Sequence, residues 1–184
     1  KLTVPGGDRV DGERRHRDEN CSASLVGPRT ILTAWHCLEY YDDLSKDPMF
    51  SLPLAPGQPQ IAARRLADGG GMDADWALLR LARPVKTVEP LAVVLLESAP
   101  RSAGEVLLAG YARDEELGMG GARLTWQAGC RLLGTSGRGV ATDCVTYKGA
   151  SGGVVLSAAG IVGVISAGDG DAQTWFAPSN GFIA

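Results

Sequence analysis

The apolar residues of this chain arrive in short bursts. SASLV, TILTA, WALLRLA, EVLLAGYA, GGVVLS and GIVGVISA each run for about one strand length. Gly, Ser, Asp or Pro bounds nearly all of them, and no segment keeps a helical period beyond about three turns. With 25 Gly and 10 Pro among 184 residues, turns are frequent. The expectation is an all-β fold in two similar lobes. Periodicity alone leaves a sandwich and a pair of barrels both open.

Punctuation divides the chain further. Residues 1–20, KLTVPGGDRVDGERRHRDEN, are polar and Gly-rich and read as an arm that packs only in part. SASLV and TILTA flank GPR, a hairpin signal. Residues 38–60 read as a long surface excursion, and IAARRLA as a strand. A Gly-rich turn then leads into WALLRLA, which Pro84 stops. Pro84, Pro90 and Pro100 mark the passage between lobes, which are placed at 1–92 and 93–184. RLTWQAGCRLL and GVATDCV complete the strand candidates of the second lobe, and Trp126 and Trp175 are assigned to the core.

Bulk properties exclude several roles. The formal charge is -3 and 21% of residues are charged, without the basic footprint of a nucleic-acid binder. ERRHR at 13–17, including His16, reads as a solvated face. No apolar stretch reaches membrane-spanning length. No cofactor is expected, and a monomer is the expected state.

Cys21, Cys37, Cys130 and Cys144 allow three pairings, with free buried thiols as the alternative. No two are spaced C-x-x-C and there are only two histidines, so no metal site is assigned. An even count fits two disulfides and an oxidising compartment, hence a secreted or periplasmic location. Pairing of nearest neighbours closes two loops, each worth roughly 3 kcal/mol in the chain-entropy model.

The chemistry gathers around LTAWHC, residues 32–37, which holds His36. A serine hydroxyl is a poor nucleophile until a neutral imidazole takes its proton. The imidazole needs a carboxylate to hold its tautomer, and the oxyanion that develops needs fixed N–H donors. KGASGGVV, residues 148–155, places Ser151 among Gly149, Gly152 and Gly153. Such a loop turns sharply and brings N–H groups close to a substrate. MDADWALLRL offers two acids. Asp75 abuts the apolar strand and is the better candidate for a buried, pointed carboxylate; Asp73 sits in the turn.

LTAWHC, DWALLRL and GASGGVV, in that order, resemble the three signature segments of the chymotrypsin-like serine proteases. The resemblance spans residues from about 6 to 168. GGDRV and CSASLVGPRTILTAWHC are closest in flavour to the bacterial V8-like (glutamyl endopeptidase-like) branch. The resemblance implies two six-stranded antiparallel β-barrels with the site in the cleft between them. It implies a serine endopeptidase in which His36 is general base and acid, Asp75 the orienting carboxylate and Ser151 the nucleophile. The N–H groups of Gly149 and Ser151 would form the oxyanion hole. Cys21 and Cys37 match the disulfide that brackets the histidine loop, and Cys130–Cys144 follows from proximity. Ser166 matches a hydroxyl that supports the Asp. Ser166, Ala167 and Gly168 match the edge that pairs with an extended substrate.

Departures from the family pattern are informative. Ala150 stands where many relatives carry an Asp that pairs with a newly freed amine, so that switch is not expected here. Trp35 replaces a small residue beside His36. Val145 occupies the place of the Asp that binds basic side chains in trypsin-type enzymes, and Ile165 the place of the His of glutamate-specific ones. Val145, Thr146, Ile165 and Gly168 therefore imply an apolar pocket for the residue before the cut. Asp169 and Asp171 read as a solvated loop at its rim. The competing readings are a protease-fold binding module and an esterase using the same three residues.

Overall fold

The computed structural model describes residues 1–41, 46–96, 105–137 and 139–183. Pro100 and part of the 38–60 excursion therefore lie outside the described residues.

Thirteen strands and two short 3₁₀ turns make up the regular structure among these residues. The first lobe holds β1 (Leu2–Val10), β2 (Glu13–Cys21), β3 (Ser24–Gly27), β4 (Thr30–Thr33), β5 (Met49–Ser51), β6 (Gln60–Asp68) and β7 (Ala77–Leu81). They form one curled sheet in the order β2-β1-β5-β6-β7-β4-β3. The second holds β8 (Glu105–Gly110), β9 (Thr125–Ser136), β10 (Gly139–Thr142), β11 (Val154–Ser157), β12 (Gly160–Gly168) and β13 (Thr174–Pro178), closed into a six-stranded barrel. The fold is all-β with a barrel pair, the first member half closed with seven strands and the second complete. Every named strand pair is antiparallel.

Strand texture explains the sheets. Along β7, Ala77, Leu79 and Leu81 are fully buried while Arg80 points to solvent, the alternation of a half-buried strand. Each such leucine contributes about 1.5–3 kcal/mol by leaving water. Around them Ile31, Leu32, Phe50, Ile61 and Leu2 fill the first core. Val106, Leu108, Val155, Val162 and Phe176 fill the second.

Three elements differ from the sequence reading. The polar arm is a nine-residue-a-side hairpin, β1 with β2, because Leu2 and Val4 bury completely and Asp11–Gly12 turns the chain at positive φ. The surface excursion contributes β5, anchored by buried Phe50. Trp126 is 67% exposed, since Cys130 alone is buried along the twelve residues of β9.

The lobes are tied together. The Leu91 N–H donates to the Leu25 carbonyl in the first, and Val94 N–H to the Ile161 carbonyl in the second. Disulfides join Cys21 to Cys37 and Cys130 to Cys144. The first links the end of β2 to a 3₁₀ turn, Trp35–Leu38; the second links β9 to the segment after β10. No helix among the described residues is long and apolar enough to cross a membrane.

Candidate active site

His36 sits in the 3₁₀ turn that follows β4. Ala34 is extended, then the chain tightens, and Cys37 and Leu38 bury on the inner side. That leaves the imidazole facing outward, its side chain 23% exposed. Asp75 arrives just before β7 and is 2% exposed. Its Oδ1 accepts the backbone N–H of His36 at 2.9 Å and its Oδ2 meets Nδ1 at 2.7 Å. Ser166 Oγ donates to the same Oδ2 at 2.5 Å. Three donors thus satisfy a carboxylate that could not otherwise stay buried. A carboxylate only accepts, so in the neutral imidazole Nδ1 carries the proton and Nε2 the lone pair. Asp73 is exposed in the turn.

Ser151 lies in the turn before β11, partly exposed. Gly149 and Gly152 have φ of 92° and 76°, where an L side chain is strained. Space forbids one as well: a Cβ on Gly152 would lie 2.2 Å from Thr33 Oγ1 and 2.3 Å from the Ser22 carbonyl. The N–H groups of Ala150, Gly152 and Gly153 donate to Tyr147, Ile165 and Ala150 carbonyls. Those of Gly149 and Ser151 meet no carbonyl among the described backbone bonds outside the strands. The loop therefore holds two N–H groups in reserve on either side of Ala150.

Two of the residues expected to line the specificity pocket border a described cavity. Val145 and Thr146 border a cavity of about 260 Å³ together with Leu108, Leu117, Trp126 and Ala150. Ile165 is 1% exposed and packs in the second core, its Cδ1 3.0 Å from where a Cβ on Gly153 would be. Ser166, Ala167 and Gly168 end β12; Ala167 and Gly168 pair with β13 after a bulge at Ser166, and no described strand pairs their other edge. Across from them, a Cβ on Gly168 would lie 2.6 Å from the Thr146 carbonyl and 2.7 Å from its Oγ1. Thr146 Oγ1 in turn meets Thr174 Oγ1 at 3.0 Å, and Thr174 is fully buried. Thr174 is a buried partner of Thr146 that no sequence motif marks.

Asp169 is committed to its own loop. Its Oδ1 accepts the N–H groups of Asp171, Ala172 and Gln173 at 2.8–3.0 Å. The bond from Gln173, with those from Asp171 and Ala172, holds its carboxyl below the usual carboxylate range. On the far side of His36 a second cavity, about 310 Å³, is lined by Val4, Gly7, Arg17, Glu19 and Tyr40. Cys21, His36 and Cys37 lie close enough to suggest a metal cluster, but the two sulfurs are bonded to each other and offer no thiolate.

Comparison with known proteins follows the same lines. The trypsin family model matches residues 7–182. No curated protein sequence matches the chain. Among solved structures, a thermostable serine protease from an extremophilic microorganism superposes with a TM-score of 0.67 at 16% identity, covering 97% of this chain and 91% of that one. A mutant of human heparin binding protein gives 0.69 at 16%, covering 98% and 86%. An inactivated protease paralogue of the scabies mite gives 0.67 at 16%, covering 98% and 90%. At such identities these likenesses concern the fold.

Proposed function

Since the chain belongs to the trypsin family of serine endopeptidases, we propose that it hydrolyses peptide bonds through Ser151, His36 and Asp75 by way of an acyl-enzyme. The observation that carries this reading is the buried Asp75, whose Oδ2 accepts a hydrogen bond from His36 Nδ1–H and leaves Nε2 as the proton acceptor. Neutral Nε2 removes the Ser151 hydroxyl proton as Oγ attacks the scissile carbonyl. The carbonyl oxygen becomes an oxyanion, held by Gly149 and Ser151 N–H groups. His36, now imidazolium beside Asp75, gives its proton to the departing amine. Water then repeats the sequence: it loses a proton to His36, attacks the ester carbon and releases Ser151.

The open edge of Ser166–Gly168 supports an extended peptide as substrate, because backbone pairing has no use for a small ester. For the residue before the cut, we assign a small apolar side chain. Thr146 stands against Gly168 and bonds Thr174, which makes the slot shallow. Asp169, whose Oδ1 is committed to three N–H groups of its own loop, is disfavoured as the receiver of a basic side chain. The GGDRV arm and histidine segment favour the V8-like branch, and two disulfides favour a secreted or periplasmic setting.

The test is cleavage of an unbiased peptide library, mapped by mass spectrometry, with Ser151→Ala as control. Cuts after Ala, Ser, Val or similar residues that vanish in the variant are the expected result. Cuts after Arg, Lys or Glu would overturn the pocket assignment, and cuts that persist in the variant would overturn the nucleophile.

A further inference from the structure

The loop that carries Ser151 must keep two N–H groups aimed at one point, yet it is built on glycines. A peptide flanked by glycine rotates easily, and rotation would exchange an N–H for a carbonyl at the same place. In a trans peptide the two groups point in opposite directions. Fixing each carbonyl on the rear of the loop therefore aims the N–H of the same peptide forward.

Four successive carbonyls are hydrogen-bonded, two on the donor peptides and two on the peptides that alternate with them. Lys148 O accepts the Arg113 N–H at 2.6 Å, and Ala150 O accepts the Gly153 N–H at 2.8 Å. These are the two peptides whose N–H groups belong to Gly149 and Ser151. The carbonyls of Gly149 and Ser151 themselves both go to one residue, Ser22. Its Oγ donates to Gly149 O at 2.8 Å and its N–H donates to Ser151 O at 2.7 Å. Ser22 is 3% exposed and is itself held. Its Oγ accepts the Tyr111 N–H at 2.7 Å, and its carbonyl accepts Thr33 Oγ–H at 2.8 Å. Gly110 leaves the room for this, since a Cβ there would lie 2.9 Å from Ala150 Cα and 3.1 Å from Ser22 Oγ.

We infer that Ser22 is a positioning residue, whose buried hydroxyl clamps the Gly149 carbonyl to the Tyr111 amide, fixing the peptide that lies between the two donor peptides and so keeping the Gly149 and Ser151 N–H groups from turning away from the substrate. It lies in the first lobe, immediately after Cys21, and reaches the second lobe's loop across the cleft. The clamp is neutral, and Ala150 leaves no charge in the middle of the loop. Its hold on the loop's geometry stands on the observed bonds; its consequence for turnover rests on the protease reading above.

The test compares wild type with Ser22→Ala and Ser22→Gly, both of which keep the backbone bond to Ser151 and remove the hydroxyl. In amide hydrogen exchange of the substrate-free protein, residues 147–153 are expected to exchange about tenfold faster while the strand cores hold their protection. In turnover, kcat is expected to fall about tenfold or more with KM within about twofold. A peptide trifluoromethyl ketone, which forms an oxyanion on Ser151, should lose affinity by the same factor as kcat, and the matching peptide alcohol should not. Unchanged exchange at 147–153, or a loss of protection spread evenly over the molecule, would overturn the proposal. So would a rise in KM at constant kcat. A wild type without Ser151-dependent turnover would sink the protease reading alone, and the exchange result would still decide the clamp.

Discussion

The histidine loop and the serine loop are held by different physics. His36 is fixed by strong, specific bonds: a disulfide at Cys37, and a buried carboxylate that grips both its backbone and its ring. Ser151 is fixed by shape. Its neighbours are glycines at positive φ, and its backbone is held by neutral hydrogen bonds from Ser22, Gly153 and Arg113. The difference fits the roles proposed for the two loops. A base that becomes cationic during the reaction gains from a fixed negative partner. An oxyanion site has to present bare N–H groups, and its own carbonyls are the groups to be turned away.

Substitutions can break this contrast in order of size. Ser151→Ala should abolish turnover to the level left by binding and the N–H donors, a loss of about 10⁶-fold in kcat. Asp75→Asn should cost about 10⁴-fold in kcat while thermal unfolding moves little, because the amide permits the wrong imidazole tautomer. Steady-state rates and melting curves separate the two effects. On the serine side, Gly149→Ala should lower kcat by about 10²–10³-fold. Its Cβ would come 2.5 Å from the Tyr111 carbonyl at a φ of 92°, so the N–H must move. If Gly149→Ala were as active as wild type, shape would not be what holds that loop.

Smaller effects sharpen the histidine side. Replacing Cys21 and Cys37 together by Ala should lower unfolding free energy by about 2–5 kcal/mol in denaturant titration. Ser166→Ala removes one of three donors to Asp75 and should cost roughly tenfold in kcat. That loss should exceed the change in KM, which a peptide substrate series would show.

Sequence and structure agree most where a residue type has one available use. WALLRLA, EVLLAGYA and GIVGVISA alternate or bury as strands, and each is one. LTAWHC and DWALLRL are the segments that meet around the Asp75 carboxylate. The N-terminal hairpin was legible in principle, since DG at 11–12 is a strong turn signal. The polar residues beside it, facing solvent from a two-stranded ribbon, hid the two that bury, Leu2 and Val4. β5 escaped because three residues carry too little periodicity. Ser22 and Thr174 had no local mark at all. Their roles depend on partners 127 and 28 residues away, which only the closed fold brings near.

The most direct test of the central claim is intact-mass analysis after treatment with a fluorophosphonate, which loses fluoride when an activated serine attacks phosphorus. One adduct per chain is expected, located on Ser151 by tandem mass spectrometry, and strongly slowed in His36→Ala and Asp75→Asn. An unlabelled wild type, or an adduct on another residue, would contradict it.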